Sequence, residues 1–146
     1  MINYAKILFP LDLSPVSSVI AKHVATMVEK HNAELHVLNV VPTYDGPSFV
    51  SYNQVMDEIK TNTREAMEKF CKENFPGLEG VIIHVSTGHT GRQILSYAKE
   101  NAIDLIIMGT HGRSGLGVVF FGSVAQRVVQ ASTIPVMTVH PVEGKA

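Results

Sequence analysis

The sequence predicts an α/β fold, a single doubly wound, parallel-type sheet with helices on both faces, and two observations predict it. Apolar runs of strand length alternate with stretches of helical period along the 146 residues. The early and fourth runs are apolar almost throughout, the mark of strands covered on both faces. A chain of this length fits one domain built on one real core, taken as residues 1–146.

The first run, "KILFPL" at 6–11, stops at Asp12-Leu13-Ser14-Pro15, where Ser followed by Pro reads as the cap and first turn of a helix. Beyond it Val16, Val19, Ile20, His23, Val24, Met27 and Val28 recur at helical spacing as far as about His31. "ELHVLNVV", 34–41, is rich in β-branched residues and too short for an ordinary helix, so it is the second strand. Residues 42–52, "PTYDGPSFVSY", hold two prolines and a glycine without any period, which makes a loop of the kind that flanks sites. Val55, Ile59, Ala66 and Phe70 mark a long amphipathic helix that ends near Asn74, before Pro76-Gly77. "GVIIHVS", 80–86, is the third strand. Thr90-Gly-Arg-Gln93 then has the form of a capping box, ahead of a helix carrying Ile94, Leu95 and Ala98. "DLIIM", 104–108, is the fourth strand, and Ser123-Val-Ala-Gln126 repeats the capping pattern before a helix that runs to about Ala131. A final strand opens on Pro135, closes on His140 and has no helix after it, so it is expected at an edge.

The composition excludes several classes of function. With 12 basic and 13 acidic residues the net charge is −1, which offers no electrostatic footprint for DNA or RNA. No stretch approaches the ~18 consecutive apolar residues of a membrane span, and "MINYAKILFPLDLS" lacks the pattern of an export leader. The expectation is a cytoplasmic protein. One cysteine, Cys71, excludes an internal disulfide and a thiolate cage, and it reads as packing. The seven histidines are scattered without metal-ligand spacing and are expected at the surface or satisfied in the core.

Residues 108–124, "MGTHGRSGLGVVFFGSV", hold five of the 11 glycines between a strand and a helix. In doubly wound sheets ligands sit beyond the carboxyl ends of the strands, where Asp12, Val40 and Met108 fall. Neither a Walker loop nor a G-x-G-x-x-G dinucleotide fingerprint is present. Gly122 permits close approach of the backbone to a phosphate, and the N–H groups of Ser123, Val124 and Ala125 point outward at the positive end of the helix dipole. Gly109 and Gly112 can adopt positive φ and turn N–H groups inward as an anion nest. His111 and Arg113 are the polar side chains of the loop, Arg113 with a plausible phosphate role. Val118-Val-Phe-Phe121 is expected to pack the loop onto the sheet. Two features have a plainer reading: Ser123 with Gln126 already completes a capping box, and Asp12 favours the start of the first helix.

Gly109-x2-Gly112-x9-Gly122-Ser123 resembles the ATP-binding motif G-x2-G-x9-G-[ST] of the universal stress protein family, and "KILFPLDLS", "DLIIMGTHGRSG" and "STIPVMTVH" are similar to that family as well. The resemblance implies a five-stranded, Rossmann-like sheet of the adenine nucleotide alpha hydrolase type and, since the full motif is present, ATP binding. Carried over by position, it implies Pro10, Asp12 and Val40 around base and ribose. Along ribose and phosphates it implies Met108, Gly109, Thr110, His111, Gly112, Arg113, Ser114 and Gly115. Gly122, Ser123, Val124 and Ala125 follow on the phosphates. It also implies a homodimer through the terminal strand at Pro135 to His140, which an apolar edge strand invites on its own account.

Binding ATP does not make an ATPase, because phosphoryl transfer needs a positioned base, a metal clamp and usually a lysine. The loop offers none of these clearly. The first expectation is therefore a nucleotide-dependent switch in stress response, with slow hydrolysis at most. Mg²⁺ is expected to accompany the phosphates, with Asp12 nearby. The alternatives are a weak ATPase or nucleotide-dependent transferase using Asp12 or His111, and a nucleotide-free module that binds a protein partner.

Overall fold

The computed structural model describes residues 1–43, 52–110 and 121–141. The expected loop at 42–52 and the glycine loop therefore lie largely outside the described residues, as does 142–146. The elements run β1 (Lys6–Pro10), α1 (Ser17–His31), β2 (Glu34–Val41), α2 (Tyr52–Asn74), β3 (Ile82–Thr87), α3 (Thr90–Glu100), β4 (Leu105–Gly109), α4 (Ser123–Ala131) and β5 (Val136–Val139). All strand pairs are parallel, and the sheet order is β3-β2-β1-β4-β5. Strand order reverses between β1 and β4, so this is the doubly wound sheet that the alternating pattern predicts. No helix among the described residues is long and apolar enough to cross a membrane.

Two cores follow from the two-residue period of the strands. Ile7 and Phe9 of β1, Leu35 and Val37 of β2, and Leu105 and Ile107 of β4 pack with α1 and α2. Leu8, Leu38, Ile106 and Met108, their neighbours in sequence, pack with α3 and α4 on the opposite face. A strand buried on both faces has no polar side to alternate with, which is why the runs at 6–11 and 104–108 are so uniformly apolar. His36 is a satisfied core histidine. It is 3% exposed, with Nδ1 2.8 Å from the Tyr97 hydroxyl and Nε2 2.7 Å from Glu34 Oε1.

Several helix starts differ from the sequence reading. α1 begins at Ser17, because Ser14 O accepts from Ser17 N in a turn that precedes the helix. Each of the two expected capping boxes starts one residue too late. His89 caps α3, its Nδ1 3.4 Å from Arg92 N, and Gly122, with extended φ and ψ, caps α4. Thr90 and Ser123 are thus the first helical residues, and a first helical residue has the wrong backbone angles to cap. His23, counted on the buried face of α1, is exposed, as are Val55, Ile59 and Ala66 of α2. The buried residues of α2 are Met67 and Cys71. Phe121, expected to pack onto the sheet, is 46% exposed.

Candidate functional site

At the carboxyl edge of the sheet, where strand order reverses, a cavity of about 800 Å³ opens. This is within the roughly 300–1,000 Å³ span of small-molecule sites. Its walls bring together Pro10, Asp12, Val40, Met108, Gly109, Thr110, Gly122, Ser123, Val124 and Ala125, which is every predicted site residue that is described. His111, Gly112, Arg113, Ser114 and Gly115 lie outside the described residues.

Backbone bonds fix the strand ends against one another. Leu11 N donates to Leu38 O at 2.8 Å, and Asn39 Nδ2 donates back to Leu11 O at 2.7 Å. On the other side of the reversal, Thr110 N donates to Val139 O at 2.9 Å and Gly122 N to Thr110 O at 2.7 Å. The second bond joins the two ends of the glycine loop, so α4 starts beside the end of β4. Its direction is then set by the packing of Ala125 and Val128 into the core on that face.

The start of α4 is the strongest polar feature of the cavity. Gly122 N is already paired, and Gln126 N closes the first helical bond to Gly122 O at 2.9 Å. The N–H groups of Ser123, Val124 and Ala125 meet no acceptor among the described residues, and no side chain caps the helix. Donors at the positive end of a helix dipole favour an anion. Because Ser123 is not the cap, its hydroxyl is not committed to the helix, and the plainer reading of that residue falls away.

The glycine geometry is simpler than expected. Gly109 is the last residue of β4, paired with Val139, and does not adopt positive φ. It contributes no turn to an anion nest. Gly122 has φ −63° and ψ 160°, a conformation open to any residue. Among the described wall residues positive φ belongs instead to Leu13, at 57°. That turn is held by Asp12, whose Oδ1 accepts from Ser14 N at 3.0 Å and from Ser17 Oγ at 2.9 Å. Asp12 therefore shapes the start of α1 and also lines the cavity.

Asp12 is the one charged side chain among the described lining residues. No three His, Cys, Asp or Glu side chains gather as a metal-ligand set among the described residues. Wall residues that sequence reasoning missed include Leu13, Asn39, Ile59, Thr63 and Thr90. Thr90 sits in a recognised helix-start pattern, but which helix starts face the cavity depends on strand order.

Comparison with known proteins follows the same outline. The model of the universal stress protein family matches residues 3–140. Universal stress protein MJ0531 of Methanocaldococcus jannaschii is 34% identical over 143 residues, which is 93% of this chain and 82% of that one. The solved structure of hypothetical protein MJ0577 superposes with a TM-score of 0.83 at 26% identity, over 98% of this chain and 100% of that one. A universal stress protein solved in complex with cAMP superposes at 0.65 and 21% identity, over 95% of this chain and 98% of that one. At that identity the likeness is one of fold.

Proposed function

The chain belongs to the universal stress protein family, and on that premise we propose that it binds ATP at the carboxyl edge of its sheet and acts as a nucleotide-dependent switch in the stress response. The observation that carries this reading is the start of α4, where three N–H groups without an acceptor among the described residues stand at a cavity of about 800 Å³ at the strand reversal. The G-x2-G-x9-G-S spacing supports it further.

The described residues fit such a ligand in size and chemistry. Ser123, Val124 and Ala125 would hold phosphate oxygens through backbone N–H groups and the Ser123 hydroxyl. Pro10 and Val40 offer apolar surface to base and ribose, and Met108 would lie along ribose and phosphates. Bound ATP supplies the negative charge and the ring that these walls complement. Mg²⁺ would be held by phosphate oxygens and water, with Asp12 the carboxylate beside them. Asp12 Oδ1 is occupied by the turn to α1. No lysine, arginine or histidine joins it among the described wall residues, and the switch reading takes hydrolysis as slow at most. A homodimer through β5 completes the proposal.

Calorimetric titration of ATP into wild type, Ser123→Ala and Gly122→Val tests it. Ser123→Ala should weaken binding by about 1–2 kcal/mol, on the order of one lost hydrogen bond. It should leave the ligand-free melt unchanged, because Ser123 does not cap α4. Gly122→Val keeps an allowed backbone and should fold, yet lose ATP to the side chain at the phosphate position. Wild-type affinity in a folded Gly122→Val protein overturns the phosphate reading. Sustained phosphate release that Asp12→Ala abolishes while ATP still binds overturns the switch.

A further inference from the structure

The cavity has a wall that the glycine spacing does not foretell. α2 is 23 residues long, but its buried residues, Met67 and Cys71, both fall in its second half. No residue from 52 to 66 is buried. In that half stand two large apolar side chains, Val55 and Ile59, 49% and 38% exposed. Residues four apart share a helix face, and Thr63 continues it by one more turn. Ile59 and Thr63 both line the cavity. The exposed stripe of α2 thus runs into the wall of the same site.

The two ends of the cavity differ in kind. At the start of α4 the wall presents N–H donors that meet no acceptor among the described residues, which suits an anion. Where α2 and the end of β2 line it, the described residues are Ile59, Val40, Val41, Pro42 and Thr63, none of them charged. An apolar surface carrying one hydroxyl suits the flat face of a heteroaromatic ring and offers nothing to a phosphate. Apolar side chains left in water beside such a wall gain by being covered.

We infer that Ile59, continued by Val55 and Thr63, is a binding contact for the base of the bound nucleotide. The inference rests on the nucleotide reading and adds to it a wall drawn from α2. The base covers Ile59 and ties the first half of α2 to the sheet. Two separate recognition ends follow: α4 reads the phosphates, and α2 with β2 reads the ring.

The test titrates ATP, and separately inorganic tripolyphosphate, into wild type, Ile59→Ala and Ile59→Asp. Ile59 is partly exposed, so both variants should fold, and a ligand-free melt checks this. Ile59→Ala should weaken ATP about tenfold, the loss expected for roughly two methylenes of apolar contact, and Ile59→Asp should weaken it further. Tripolyphosphate, which has no ring, should bind all three proteins alike. Amide exchange over residues 52–63 should slow on adding ATP to wild type and stay unchanged in Ile59→Asp. ATP binding equal to wild type in both variants overturns the role of α2 alone, as does an equal loss of ATP and tripolyphosphate. A wild type that binds no ATP overturns the nucleotide reading and this inference together.

Discussion

Single residues carry more than one duty in this molecule, and Asp12 is the plainest case. One oxygen of its carboxylate holds the turn at Leu13, and the same side chain lines the cavity. Ser123 shows the converse, since a residue that looked committed to a helix cap stands free of it by one position. Cys71, the lone thiol, is settled by burial. Desolvation first, and the nearby Glu68 carboxylate second, push it up from 9.0 to about 11. The folded chain then keeps this proton where the unfolded chain releases it, so stability is whole below pH 9 and falls as pH rises toward 11. Tyr97, raised from 10.0 by burial and by Glu34, adds a loss of the same sign that begins near pH 10. Urea unfolding should show wild type losing about 2–3 kcal/mol across that window, with a shallower fall in Cys71→Ala. At neutral pH the thiol is protonated, and iodoacetamide should react with it far more slowly than with a free cysteine.

The two edge strands of the sheet are treated differently. Along β3 the Arg64 guanidinium of α2 donates to Ile83 O at 2.9 Å and stands 3.3 Å from Glu68, so a charged side chain covers that edge. Along β5 the bonds from Ile106 N to Pro135 O and from Thr110 N to Val139 O turn alternate groups inward, toward β4. Val136 and Thr138 then present their N–H and C=O outward, and no described residue caps them. An uncapped edge is a template for another strand. This asymmetry supports β5 as the joint of the proposed dimer. Thr138→Pro removes one outward donor without breaking an inward rung, whereas Thr138→Ala keeps it. Sedimentation at micromolar concentration should give dimers for wild type and Thr138→Ala, and monomers for folded Thr138→Pro. A monomeric wild type with or without ATP removes the proposal.

For the molecule as a whole, a ligand that joins α4, the strand ends and α2 should stabilise the fold by mass action. Binding to the native state alone contributes about 2.7 kcal/mol at a concentration 100 times Kd. For a chain of this size that is a rise in Tm on the order of 5–10 °C. Melts with ATP, ADP, AMP and cAMP, each at one fixed concentration, should rank the nucleotides by affinity, and no rise with any of them counts against a nucleotide site.

Much of this architecture is legible in the residues because its cause is local. Period and run length predict the order of strands and helices, since a strand buried on both faces must be apolar at each position and a helix one-sided. The pattern placed Asp12, Val40 and Met108 at strand ends, because these fall on one edge of any parallel sheet, and the motif's resemblance to the family nominated the other cavity residues from Pro10 to Ala125. Three things waited for the tertiary structure. Cap positions moved by a residue, since the backbone angles of Gly122 and His89 depend on how α4 and α3 leave the sheet. Gly109 proved to be a strand residue, because pairing with β5 extends β4 one residue past its apolar run. The α2 wall was hidden because Ile59 fits a buried helical stripe as well as an exposed one. Only the placement of β2 and β3, which positions α2, decides that its first half overlooks the cavity.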